Sequence, residues 1–208
     1  SFSVVHTAVG IPWRHRAGAP VWGDVNNDGY IDLYLPATYE AVTADHRSEL
    51  LLSRSGEFFD LETAPSGIGE RYDGSAVFAD LNGDGLLDLI VGGNVSVPRV
   101  LLNREAGSGA PVQNHFLSFA LVGNGTTSNR SAIGARITLA RENGTQMIRE
   151  VAAGFGSGSQ APLEQHFGLG SNPGGVQVTV RWPDGEVVSF ENIEVDRTHR
   201  IEQGASSN

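Results

Sequence analysis

A nine-residue acidic pattern, written twice, constrains this chain more than any other feature. Asp24-Val-Asn-Asn-Asp-Gly-Tyr-Ile-Asp32 recurs 56 residues later as Asp80-Leu-Asn-Gly-Asp-Gly-Leu-Leu-Asp88. The likeness extends outward, since Gly18 to Leu35 aligns with Gly74 to Val91. The apolar run Glu49-Leu-Leu-Leu-Ser53 likewise answers Arg99-Val-Leu-Leu-Asn103. Each copy therefore reads strand, acidic loop, strand, turn, strand, the pattern of a propeller blade or a related β repeat.

The loop chemistry points to calcium. Asp24, Asn26 and Asp28 set a side-chain oxygen at every second residue, and Gly29 allows a turn that a Cβ would hinder. The Tyr30 carbonyl then faces inward and Asp32 closes the cage with both oxygens. Asp80, Asn82, Asp84, the Leu86 carbonyl and Asp88 repeat the set. All-oxygen ligation with three carboxylates suits Ca2+ over zinc or copper, and over magnesium, which prefers a tight octahedron. An EF-hand requires a bidentate Glu at the twelfth loop position, where this chain has Leu35 and Val91, so that alternative is rejected. Without a cation the three carboxylates would repel one another. Two structural ions are expected, with similar affinities because the ligand sets are alike, and their binding energy adds to folding.

Charge agrees with this reading. The net charge is -10, and residues 1–112 hold fifteen acidic residues against seven Arg. Six of those fifteen lie in the two loops. An acidic domain repels nucleic acid and anionic lipid, so neither is an expected partner. No run approaches the ~18 apolar residues of a membrane span, so no membrane insertion is expected. Cysteine is absent, which excludes disulfides and thiolate chemistry. Every one of the fourteen cationic residues is Arg, for which we have no physical account. The chain opens at Ser1 without an initiator Met and reads as a processed or trimmed product.

From Gln113 onward the acidic loops give way to alternation. His115 to Val122 is strand-like, and Asn143-Gly144 joins the alternating runs 135–141 and 146–151 as a hairpin turn. Pro183-Asp184-Gly185 joins 176–182 to 186–190 in the same way. No segment carries a helical period. The expected fold is all-β: two β-propeller-type repeats in residues 1–112 and a β-sandwich in residues 113–208.

The two loops resemble the FG-GAP/VCBS calcium repeats of integrin-like β-propellers. Asn114 to Gln203 resembles the ASPIC/UnbV domain, which follows such repeats in the cartilage acidic protein family. The residues carrying that resemblance are Asn129-Arg-Ser-Ala-Ile-Gly-Ala-Arg136, Ala153-Gly154 with Ser159-Gln160, His166-Phe-Gly-Leu-Gly170 and Val180-Arg-Trp-Pro-Asp-Gly185. The resemblance implies secretion, calcium binding and a non-enzymatic role at a matrix or cell surface. Such propellers usually have around seven blades, while this chain has two. It is then a fragment of a longer protein, or its exposed β-edges are completed by other copies to give oligomers or filaments. Ser1 to Val5, apolar on alternate residues, is a candidate strand to donate.

Other signals carry less. Asn94, Asn124, Asn129 and Asn143 head glycosylation sequons, but turn chemistry or the family motif accounts for most. The six histidines lack metal-ligand spacing, and Asp184 fits an ordinary turn. Two rival classes stand beside the structural one. Paired carboxylates could serve a hydrolase, although the clustered acids are committed to cations. A carbohydrate- or protein-binding module could use Trp13, Trp22 or Trp182, although Trp22 and Trp182 alternate with core positions and are expected to be packed.

Overall fold

A computed structural model describes residues 8–11, 18–37, 48–62, 68, 74–92, 97–104, 114–154 and 159–204. Among these residues the protein is all-β, with fourteen strands, and no helix is long and apolar enough to cross a membrane. The segment Ser1 to Val5, Asn94, Trp13 and the histidines at 6, 15 and 46 lie outside the described residues. The chain divides into two compact units, the first holding β1–β7 and the second β8–β14 together with Asn26–Gly29.

In the first unit, β1 (Val21–Gly23), β2 (Asp32–Leu35), β3 (Glu49–Arg54) and β4 (Phe58–Leu61) form an antiparallel meander. A second meander follows from β5 (Ser75–Ala79), β6 (Asp88–Gly92) and β7 (Arg99–Leu101). Each acidic loop is the connection from one strand to the next, β1 to β2 and β5 to β6. Alternation sends successive side chains to opposite faces. Val21, Tyr34 and Leu50 fall in one row, and they share a core with Ala76, Phe78, Leu89 and Val91 of the second sheet. The Tyr34 and Phe78 rings meet edge-on at 6.4 Å. Gly23 sits where a Cβ would lie 2.9 Å from the Phe78 ring, so the close approach of the sheets requires glycine there.

The second unit comprises β8 (His115–Val122), β9 (Arg136–Arg141), β10 (Gln146–Glu150), β11 (Gln165–Gly170), β12 (Val176–Arg181), β13 (Val187–Glu191) and β14 (Arg197–Glu202). They make two sheets, in the orders β10-β9-β12-β13 and β11-β8-β14. Both expected hairpins are present, with Gly144 at φ 85° and Gly185 at φ 95° in the turns. Both sheets feed one core: Leu117, Phe119, Phe167 and Leu169 from one side, Ile137, Leu139, Val178 and Val180 from the other, with Trp182 fully enclosed. Truncating a side chain such as Leu117 to Ala would cost about 2–5 kcal/mol through lost transfer energy and the cavity left behind. Three strands were not read as strands from the sequence: β4 of the first unit, and β11 and β14 of the second. β14 pairs along its own full length, parallel, with residues 117–122 of β8, a long-range pairing with no local signature.

Trp182 is packed as expected, whereas Trp22 is 49% exposed, against expectation. Alternation places Trp22 opposite the Val21 row, on the sheet's other face, where Leu33 and Leu51 are covered and the Trp22 ring is not.

Candidate metal centre

The second acidic loop lies wholly in the first unit and shows the design most plainly. Asp80 leaves β5 and accepts two backbone amides, Gly83 N–H at Oδ1 (2.8 Å) and Gly85 N–H at Oδ2 (2.9 Å). Both glycines take positive φ, 76° and 84°, which lets the backbone curl around the carboxylate. Asn82 Oδ1 accepts the Asp84 amide at 3.1 Å, an Asx-turn, and its Nδ2 donates to Asp84 Oδ2 at 2.7 Å. Asp84 Oδ1 accepts the Leu86 amide at 2.9 Å. Asn82 and Asp84 are exposed, Asp80 and Leu86 half-buried.

Asp88 differs in being fully buried at the first position of β6. Its Oδ2 accepts the Leu81 amide at 2.9 Å and its Oδ1 the Asn103 amide at 2.8 Å. One carboxylate thus ties the loop to Asn103, two residues beyond β7. Asn103 extends the tie, donating its side-chain amide to the carbonyls of Leu87 at 3.2 Å and Val25 at 2.7 Å.

The first loop repeats this frame. Asp32, also fully buried, accepts the Val25 amide at Oδ2 (2.9 Å) and the Ser53 amide at Oδ1 (2.8 Å). Asn26 Oδ1 accepts the Asp28 amide and Asn26 Nδ2 donates to Asp28 Oδ2, both at 3.1 Å. Asp24 is buried, Asn26 and Asp28 are half-buried, and Tyr30 is exposed. Gly29 has φ 94°.

The closing acids therefore have a structural duty that the spacing did not disclose. Each holds two backbone amides, buried in the first loop and part-buried in the second, and a buried amide left without a partner costs about 1–3 kcal/mol. A carboxylate oxygen carries a second lone pair, so accepting an amide does not bar it from a cation. Among the described residues, no three His, Cys, Asp or Glu side chains are gathered into a ready-made metal cluster. The carboxylates address backbone amides rather than one shared point. The donor set itself, carboxylate, amide and carbonyl oxygens with no nitrogen or sulfur, fits a hard divalent cation.

Sequence reasoning missed a buried polar group beside the first loop. His166 on β11 places Nε2 2.7 Å from Asn27 Oδ1 and Nδ1 3.0 Å from Ser118 Oγ. The amide oxygen can only accept, so Nε2 carries the proton and Ser118 donates to Nδ1. The Phe116 ring stacks on the imidazole at 5.6 Å. Burial, aided by the Arg149 charge, lowers the His166 pKa from 6.5 to about 4. Serine, histidine and an orienting amide in line have the order of a nucleophile and its base. Ser118, however, is buried in the middle of β8. The one available signal was Asn27 itself: the equivalent position of the other loop is Gly83, and Asn27 adopts φ 57°.

Asp184 also does more than close a turn. It accepts the Thr127 hydroxyl, the Glu186 amide at 3.1 Å and Gln203 Nε2 at 2.8 Å. The Thr127 hydrogen bond, then that of the Glu186 amide, holds its carboxyl below the usual carboxylate range. Of the sequons, Asn124 and Asn129 use their side-chain amides internally, on Thr127 Oγ1 at 2.9 Å and the Ile133 carbonyl at 2.8 Å.

Residues 125–208 match the family described as ASPIC and UnbV. The match begins after β8, later than the Asn114 start expected from sequence. The chain is also 27% identical to cartilage acidic protein 1 of Homo sapiens over 173 residues, which is 81% of this chain and 25% of that protein. The chain thus spans about a quarter of the length of the curated relative it matches.

Proposed function

We propose that this chain is a non-catalytic, calcium-stabilised structural or adhesive module of the cell exterior. Its two acidic loops belong to FG-GAP/VCBS-like, propeller-type repeats and take one Ca2+ each, through Asp24, Asn26, Asp28, Tyr30 and Asp32, and through Asp80, Asn82, Asp84, Leu86 and Asp88. The observation that carries the reading is the repeated frame: Asp32 and Asp88, both buried, hold equivalent amides in both loops. A frame built twice preserves the geometry of the oxygens it presents. When bound, the cation neutralises the carboxylates and joins them. The chain's own residues set the loop backbone, through the Asx-turns and the positive-φ glycines.

Residues 113–208 act in this reading as a β-sandwich, which two sheets sharing one core suit. The module works by self-association or by contact with an extracellular protein or glycan. The half-exposed Trp22, whose ring lies 6.4 Å from that of Phe59, favours a glycan-binding alternative, since a sugar face stacks on such a ring. A glycan array silent at high protein concentration would remove that alternative.

Calorimetric titration of the metal-stripped protein tests the calcium reading. Two Ca2+ ions should bind, and Asp84→Asn should abolish or weaken one of them. Calcium at a hundred times its dissociation constant should stabilise the protein by about 2.7 kcal/mol for each bound ion, seen as a raised melting temperature that EGTA reverses. A melting curve indifferent to both calcium and EGTA would falsify the reading.

A further inference from the structure

Two arginines of the second unit stand directly opposite each other on neighbouring strands. Arg136 of β9 and Arg181 of β12 are register partners in the sheet β10-β9-β12-β13. Their strand neighbours Ile137 and Val180 enter the core, so alternation puts both arginines on the outer face, where both are exposed. Residues so paired have Cβ atoms about 5 Å apart, and like charges in that position are destabilising. Among the described residues neither guanidinium makes a hydrogen bond or an ion pair. Glu150 of β10 opposes Arg136 from the far side without forming an ion pair with it.

The other described arginines of this unit have structural work. Arg141 donates to the Asn172 carbonyl, and Arg149 lies 5.0 Å over the Phe167 ring. Arg197 pairs with Glu194 and Arg200 with Glu202, while Arg130 packs over Gly125 on the loop before β9. The opposed pair is thus a concentration of unneutralised cationic donors. Beside it on the same face runs an uncharged row, Ile148, Thr138, Thr179 and Ser189, aligned across the four strands. The Thr179 and Ser189 hydroxyls meet at 3.0 Å, and each keeps further capacity to donate or accept. The face's other acid, Glu191, lies four residues along β13 from the arginine row, about 13 Å away.

We infer that this outer face binds an acidic polysaccharide, with a carboxylate or sulfate seated between Arg136 and Arg181 and ring hydroxyls on Thr138, Thr179 and Ser189. Charge complementarity argues for the anion: a guanidinium presents a planar fork of donors that matches carboxylate and sulfate oxygens, and two forks side by side can share one group. The open face argues for a sugar chain. A peptide adds to a sheet edge through main-chain hydrogen bonds, whereas a row of hydroxyls offers the partners that a polyhydroxylated chain needs. The acidity of the whole chain does not oppose this. Residues 113–208 carry seven Arg against nine acids, a net of -2, whereas residues 1–112 carry seven against fifteen, a net of -8. Screening over about 8 Å at physiological salt leaves a ligand here responding chiefly to the charges on this face. The inference rests on the extracellular-contact reading above and deepens it, giving the glycan a charge and a site on the second unit.

Isothermal titration calorimetry with polygalacturonate and with dextran sulfate tests the inference. Unmodified dextran is the neutral control, and EGTA is present so that no calcium bridges acid to acid. An anionic polymer should bind and dextran should not; binding of one polymer alone assigns the anion as carboxylate or as sulfate. Arg136→Gln and Arg181→Gln should each weaken binding about tenfold, the loss of one charge-assisted contact, with melting temperatures unchanged at these exposed positions. Thr179→Ala should weaken it several-fold through its hydroxyl. Arg200→Gln, on the other sheet, should bind as the parent does. Three results overturn the inference: a chain that binds neither polymer, binding that survives both arginine substitutions, and equally tight binding of polyglutamate. A calcium titration on the same protein separates the readings. Calcium bound by a chain that ignores both polymers sinks this site alone, and a polymer bound by a chain that takes no calcium sinks the calcium reading alone.

Discussion

The two acidic loops carry the same ligand pattern but stand in different surroundings. In the second loop the fourth position is Gly83, with φ 76° and nothing within 4 Å of where a Cβ would be. In the first it is Asn27, buried, at φ 57°, with its side chain on His166 and its carbonyl accepting the Gly170 amide at 2.7 Å. The neighbouring Asn26 carbonyl accepts Asn114 Nδ2 at 2.8 Å. Segment Asn26–Gly29 is accordingly counted with the second unit, while the whole second loop stays in the first. Identical donor lists therefore do not imply identical sites. A backbone already held costs less entropy to order around an ion, so we propose that the first loop binds more tightly, whereas the ligand sets alone predict similar affinities.

The sharpest test of what the loops share is the buried carboxylate. Asp32→Asn and Asp88→Asn each turn an amide NH2 toward a backbone N–H that had an acceptor. Each should lower the stability of the first unit by about 2–3 kcal/mol, and the two should agree to within about 1 kcal/mol. Urea unfolding followed by Trp fluorescence measures both. A benign Asp88→Asn beside a damaging Asp32→Asn would show that the frames differ.

Acid should separate the loops next. The folded pKa of His166, about 4, lies below the unfolded 6.5, so folding favours the neutral imidazole. That contribution is complete above pH 6.5 and is lost as pH falls towards 4, because the unfolded chain then takes up a proton that the folded one refuses. The full loss is about 3 kcal/mol in the unit that holds Asn27. His166→Gln should flatten this acid dependence between pH 7 and pH 4, read by thermal melts. If the variant melts with the same pH profile as the parent, the buried imidazole is not its source.

Smaller effects come from exchanging the fourth residues. Asn27→Gly removes a side chain hydrogen-bonded to His166 and should cost about 1–2 kcal/mol. Gly83→Asn enters open space at a φ that Asn tolerates and should cost about 1 kcal/mol or less. Equal costs would mean that the surroundings of Asn27 contribute nothing, and the contrast between the loops would fall.

Much of this was legible in the residues. The Asn143-Gly144 and Pro183-Asp184-Gly185 turns, with alternation on either side, marked both hairpins of the second unit. The repeat marked the two loops, since Asx-turns and glycines act within a few residues. What stayed hidden involved distant partners. β14 meets β8 from the far end of the domain, and nothing local in Arg197–Glu202 announces a parallel neighbour. The structural duty of Asp88 stayed hidden because its partner amide at Asn103 lies fifteen residues away. Trp22 read as packed because alternation says that two faces exist, not which of them is covered.

The sequence by itself determined that the chain is all-β, that two loops share one acidic design, and where the hairpins turn. Each of these is set by backbone preference and side-chain period over fewer than about a dozen residues. The tertiary structure decided which face of each sheet is buried, which loop gains His166 and Asn114 as neighbours, and that Asp32 and Asp88 hold distant amides. Those outcomes depend on long-range burial, where desolvation settles which polar groups must find partners and no local pattern records the choice.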